Sequence, residues 1–178
     1  MNVALSGQPV DPTELAYRAA ITDLLLAYAH AVDRQDFQMA RACYHSDATD
    51  NHGRYSGGID GLIAFFEQLG SALRCTTHQM GPPWIHFAGR DVALVETYCI
   101  FRRERYDDPP GHAVLQGLRY LDRLDRREGR WAIAEREVVL DWEQSGAIPP
   151  AIPSGPTWSR GALGAADPSA SFFLGPAS

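Results

Sequence analysis

Apolar positions follow one period in the first third of the chain and another beyond it. Ile21, Leu24, Leu25, Tyr28 and Val32 fall within about 100° of one another when wound as a helix, which predicts an amphipathic helix with one buried stripe. Its start is marked by Asp11-Pro12-Thr13-Glu14: an acceptor at the N-cap, proline at N1, and glutamate at N3 to close a capping box. Asp36 is placed to cap a second, short helix over 37–44. A third is predicted over 59–69, with Leu62, Phe65, Phe66 and Leu69 inward. Between these two, HSDATDNHGRYSGG reads as turn-rich, with room for one short strand near 53–56.

From residue 76 the pattern turns to long strands. The first, over 76–87, is interrupted by Pro82-Pro83, which a central strand does not tolerate, so an edge or a bulge is expected there. A long strand follows over 91–106. DDPPG turns the chain into a strand over 112–124, and DRREGR makes a hairpin into a last strand over 131–142. Three helices followed by four antiparallel strands predict an α+β domain with helices on one face of a bent sheet. Past Ser145 the chain turns to Pro149, Pro150, Pro153, Pro156 and then Gly, Ala and Ser, with Trp158 and Phe172-Phe173 as aromatic anchors. The organisation expected is a loose lead-in over 1–10, one domain over 11–145, and an arm over 146–178 that packs over a pocket mouth or a neighbouring subunit.

Composition narrows the function. A formal charge of −6 and a pI near 5.4 argue against a nucleic-acid or anionic-membrane surface. Every one of the 16 basic residues is arginine, which excludes lysine Schiff-base chemistry. Cys43, Cys75 and Cys99 are odd in number and form no C-x-x-C, so a reducing compartment is expected. The N-terminus has neither the basic nor the apolar region of a secretion signal, which points to a cytoplasmic protein.

The motifs that announce a cofactor (a dinucleotide-binding glycine loop, a phosphate loop, a zinc H-E-x-x-H, a nucleophile elbow) are missing. The six histidines show no spacing that supports a metal site. Asp33, near the end of the first helix, is either a surface terminator or a group aimed beneath the helix. It lies roughly 140° from Tyr28 in an unbroken helix, so both reach one cavity only if the helix breaks near Val32. On residue type alone, His78 and Tyr28 also fit core positions, and Arg136, between Glu135 and Glu137, fits a surface charge ladder.

The runs RAAITDLLLAYAHAVD, TTHQMGPPWIHFAGRD and DRREGRWAIAER resemble the SnoaL-like branch of the NTF2-like superfamily. The resemblance is closest to its γ-hexachlorocyclohexane dehydrochlorinases and more distant to scytalone and bile-acid 7α-dehydratases. It implies a cone, a strongly curved antiparallel sheet closed by three helices around a cavity. It also implies a cofactor-independent, dehydratase-like lyase in which His78, oriented by Asp33, takes a proton from carbon. Arg136 and Tyr28 are implied at the cavity, where they would assist the leaving group. Tyr28 stands where the dehydrochlorinases carry lysine, which favours loss of water over loss of halide. Tyr44, Tyr55, Trp84, Thr97, Cys99, Phe101 and Trp142 are expected to contact a hydrophobic cyclic or aromatic substrate.

The partners implied are that small molecule and further copies of the chain, as a homotrimer, with neither nucleic acid nor membrane. Other readings use the same dyad: dehydrochlorinase, retro-aldol lyase, isomerase or cyclase. A non-catalytic small-molecule-binding module, or the small subunit of a ring-hydroxylating dioxygenase, would share the fold.

Overall fold

A computed structural model describes residues 11–109, 111–147, 155 and 157–173. The lead-in over 1–10 and the four prolines Pro149, Pro150, Pro153 and Pro156 lie outside the described residues. The first helix, α1 (Pro12–Arg34), is capped by Asp11, whose carboxylate accepts from the backbone N–H groups of Thr13 and Glu14. Glu14 does not complete the expected capping box; it pairs with Arg18 at 2.7 Å, one helical turn away. Ile21, Leu25 and Tyr28 are buried and Leu24 and Val32 half-buried, as the stripe predicts.

The helix does not break at Val32. It runs to Arg34 and ends where Gln35 takes a left-handed conformation, φ 58°. The Asp36 N–H then bonds the Ala31 carbonyl and the Gln35 N–H that of Val32, closing a Schellman motif without glycine. Asp36 caps α2 (Phe37–Ala42), accepting from the Met39 N–H at 2.9 Å.

A strand follows that the polar segment did not announce. β1 (Tyr44–Asn51) pairs with the short β2 (Ser56–Gly58) before α3 (Ile59–Gly70) begins. Its inward positions include His45 and Asp50, so no run of apolar residues marks it. Each of these buried polar groups has a partner: the His45 ring meets the Asp125 carbonyl at 2.9 Å, and Asp50 accepts from the Tyr44 hydroxyl at 2.8 Å.

The expected strand over 76–87 is two strands, β3 (Leu73–Met80) and β4 (Trp84–Phe87), parted at Pro82-Pro83. Both pair with β5 (Val92–Arg105), on the edge where a missing N–H is tolerated. β6 (His112–Arg127) turns through Glu128 and Gly129, both at positive φ, into β7 (Arg130–Ala147).

The sheet order is β2-β1-β7-β6-β5-β3, with β4 beside β5; β1 lies parallel to β7 and every other pair is antiparallel. Register shifts between β6 and β7, at Gly117/Leu118 and Arg123/Leu124, bend the long hairpin. The helices close the concave face over a core of Ile21, Leu25, Tyr28, Leu62, Leu124 and Ile133. This is the expected α+β cone.

β7 continues past the expected domain boundary, to Ala147. The described part of the arm carries a short helix, α4 (Pro168–Phe172), and is tied to the end of α1 by Arg34–Asp167 at 2.7 Å. Hydrogen bonds from Ser169 and from the Ala162 backbone hold the Asp167 carboxyl far below the ordinary range.

Candidate active site

Asp33 occupies the last turn of α1, where the helix dipole disfavours a carboxylate. What holds it there is His78 on β3. The His78 ring Nδ1 lies 2.7 Å from Asp33 Oδ1, and the His78 backbone N–H donates to Oδ2 at 2.8 Å. An ionised carboxylate only accepts, so Nδ1 carries the proton and Nε2 is the free position. Burial pushes the Asp33 carboxyl up, but the hydrogen bonds and charge of His78 outweigh it and leave it below its ordinary value. The His78 ring packs on Phe101, its cross-strand partner, at 4.7 Å between centroids.

His78 and Phe101 border a cavity of about 310 Å³. Phe65, Phe66 and Leu69 from α3 and Leu118, Tyr120, Val138 and Leu140 from β6 and β7 supply its apolar walls. His52, Arg54, Arg103, Arg105, Gln116 and Glu143 supply polar groups. Asp33 stands behind His78 rather than in the lining. A larger groove of about 620 Å³ runs past exposed residues including Trp84, His86 and Leu94; neither member of the dyad borders it.

Tyr28 and Arg136, expected at the cavity, are not among the residues that line it. The Arg136 side chain is 0% exposed and makes a bidentate pair with the equally buried Asp122, at 2.6 and 2.8 Å. Its guanidinium lies 4.2 Å from the Tyr28 ring centroid, 4.4 Å from that of Tyr120 and 5.6 Å from that of Tyr44. Burial opposes the charge on Arg136, but Asp122 and the facing tyrosines keep it protonated. Burial likewise drives the Tyr28 phenol well above its ordinary value, Arg136 offsetting this only in part. The separation calculated for an unbroken helix therefore holds: Asp33 turns to His78, and Tyr28 turns to the caged arginine.

Of the other residues expected to touch substrate, only Phe101 lines the cavity. Tyr44 is buried behind it, bonded to Asp50. Tyr55 stacks on Phe65 and donates to the Gly58 carbonyl at 2.6 Å. Thr97 and Cys99 are enclosed in the sheet, and burial pushes the Cys99 thiol up to about 11. Trp84 faces the outer groove, and Trp142 stands partly exposed over Gly117.

Sequence reasoning missed His52. Its Nδ1 lies 3.1 Å from Asp50 Oδ1, and its ring meets Phe66 edge-on at 5.2 Å. An acid and a histidine two residues apart at the end of a strand share a face, and that spacing was the available signal. Among the described residues no group of three or more His, Cys, Asp or Glu side chains is placed to hold a metal ion.

A family model described as a SnoaL-like domain matches residues 13–137. Among solved structures, hexachlorocyclohexane dehydrochlorinase LinA type 2 superimposes with a TM-score of 0.73 at 20% identity, over 82% of this chain and 99% of that one. A Novosphingobium aromaticivorans DSM 12444 protein assigned as a scytalone dehydratase gives 0.69 at 20% identity, over 82% and 98%. The β subunit assigned to an aromatic-ring-hydroxylating dioxygenase of the same organism gives 0.60 at 18%, over 73% and 92%. At these identities the likeness establishes the fold. No curated protein matches the chain.

Two outcomes are expected from this geometry. Asp122→Ala strands the buried Arg136 charge and should cost about 3–5 kcal/mol in urea unfolding; a loss below about 1 kcal/mol would mean that the pair is not enclosed. Because Asp33 titrates lower folded than unfolded, its stabilising effect is complete above its ordinary value of 3.8 and is lost as pH falls through the folded value. The stability gap between wild type and Asp33→Asn should therefore close on acidification below that value. A gap that widens there contradicts the assignment.

Proposed function

The chain belongs to the SnoaL-like family, and from that premise we propose that it is a cofactor-independent lyase acting on a small hydrophobic cyclic molecule. The observation that carries the reading is the double contact of Asp33 with His78, at the ring Nδ1 and at the backbone N–H. A carboxylate gripping both groups holds the imidazole in one tautomer and one orientation, with Nε2 toward the cavity.

Nε2 takes a proton from a carbon made acidic by a neighbouring carbonyl or leaving group, and Asp33 stabilises the imidazolium that forms. The electron pair released forms a double bond as the leaving group departs. A space of about 310 Å³ suits one or two fused rings, and the phenylalanines around it supply apolar contact. Loss of water is the reaction we favour. Loss of halide, retro-aldol cleavage and double-bond migration begin with the same proton transfer. The roles first expected for Tyr28 and Arg136 change: enclosed as they are, they brace the wall behind the cavity.

The outer face of the sheet exposes Leu94, Tyr98, Ile100 and Leu121. An apolar patch of this kind supports a homo-oligomer, and the family resemblance favours a trimer. Cys43, Cys75 and Cys99 are free thiols, which supports a cytoplasmic setting.

In assays over a panel of cyclic hydroxy ketones and halides, His78→Ala should lose activity by about 10²–10⁴-fold while its circular dichroism still reports a folded protein at the assay temperature. A variant retaining a tenth of wild-type turnover would sink the mechanism. Light scattering should return the mass of three copies; a monomer would remove the oligomer from the account.

A further inference from the structure

The cavity holds a second histidine tied to a second carboxylate, which the base mechanism leaves unused. His52 and His78 line the same space, and each has its Nδ1 engaged by an aspartate, Asp50 for His52 and Asp33 for His78. Asp50 is 2% exposed and is fixed from its other oxygen by the Tyr44 hydroxyl. His52 is fixed in turn. Its backbone N–H donates to the Tyr55 carbonyl at 2.7 Å, its carbonyl accepts from the Arg54 N–H at 2.8 Å, and its ring edge rests on Phe66. With Nδ1 bound to the carboxylate, Nε2 is the atom left for a ligand. The side chain is 19% exposed against 1% for Asp50, so the pair opens on its histidine end.

We propose that His52 is the general acid of the reaction, and that the substrate class is therefore cyclic β-hydroxy carbonyl compounds. The inference rests on His78 being the base. The C–H bond α to the carbonyl breaks, its proton goes to His78 Nε2, and its electron pair forms the new C=C bond. The C–O bond at the β carbon breaks, and the hydroxyl leaves as water with the proton from His52 Nε2. His78 ends as imidazolium and His52 as neutral imidazole, and proton exchange with solvent restores both. Hydroxide is a poor leaving group and needs that proton, whereas chloride does not. A site with two separately anchored imidazoles is matched to loss of water.

Three probes separate the steps: cyclohexanone in D₂O for exchange at the α carbon, 3-hydroxycyclohexanone for loss of water, and 3-chlorocyclohexanone for loss of chloride above its spontaneous rate. His52→Gln and His52→Asn are run together, and the variant that keeps α-exchange is read, since exchange reports an intact fold and a working base. That variant should exchange cyclohexanone within about threefold of wild type and lose chloride within the same range. Its loss of water should fall by about 10²-fold or more. Equal falls in water and chloride loss, or unchanged dehydration, overturn the role of His52 and leave His78 standing. If His78→Ala also exchanges at the wild-type rate, the base assignment falls and this proposal with it.

Discussion

The contact between Asp33 and His78 is the constraint on which the site depends, because neither group is well placed without the other. Asp33 sits at the negative end of a 23-residue helix, and burial alone would favour its neutral form. Two donors from one residue of an edge strand reverse that preference. The same two bonds tie α1 to β3, so the end of the helix and the register of the strand are fixed together. The Schellman turn at Gln35 stops the helix just past Asp33 and turns the chain into α2. Had the helix broken earlier, as sharing a cavity with Tyr28 would have required, the carboxylate would have lost this approach to the strand.

Behind the cavity lies a second buried charge arrangement with a different task. Arg136 is neutralised by Asp122 and enclosed by the rings of Tyr28, Tyr44 and Tyr120. Such a pair is costly to break and gives a defined geometry to a wall that apolar residues alone would pack less specifically. Tyr120 belongs both to this cage and to the cavity lining, and Tyr44 reaches through Asp50 to His52. The cage thereby sets the position of groups that do meet the cavity, while its own charge stays out of reach.

Much of this could be read from the residues. Helix starts follow from Asp11-Pro12 and Asp36, the long strands from their alternation, and the edge position of β3 and β4 from Pro82-Pro83. The partnership of Asp33 with His78 came from the family resemblance, and the two residues do meet. What escaped was determined by partners remote in sequence. β1 hides its period because its inward positions carry His45 and Asp50, which are buried only because Asp125 and Tyr44 receive them. His52 does lie in the turn after β1, and what sets it apart is its bond to the buried Asp50. Tyr28 and Arg136 carry chemistry-bearing side chains, yet the sequence has no local mark that three rings and an aspartate will close around the guanidinium.

The central claim is that His78 presents a bare Nε2 to the cavity because Asp33 holds the proton on Nδ1. Nitrogen-15 NMR of the histidine side chains reads this directly at a pH where the ring is neutral. The account predicts a protonated Nδ1 and an unprotonated Nε2 for His78, with that preference lost in Asp33→Asn. A ring protonated on Nε2 in the wild-type protein would contradict it.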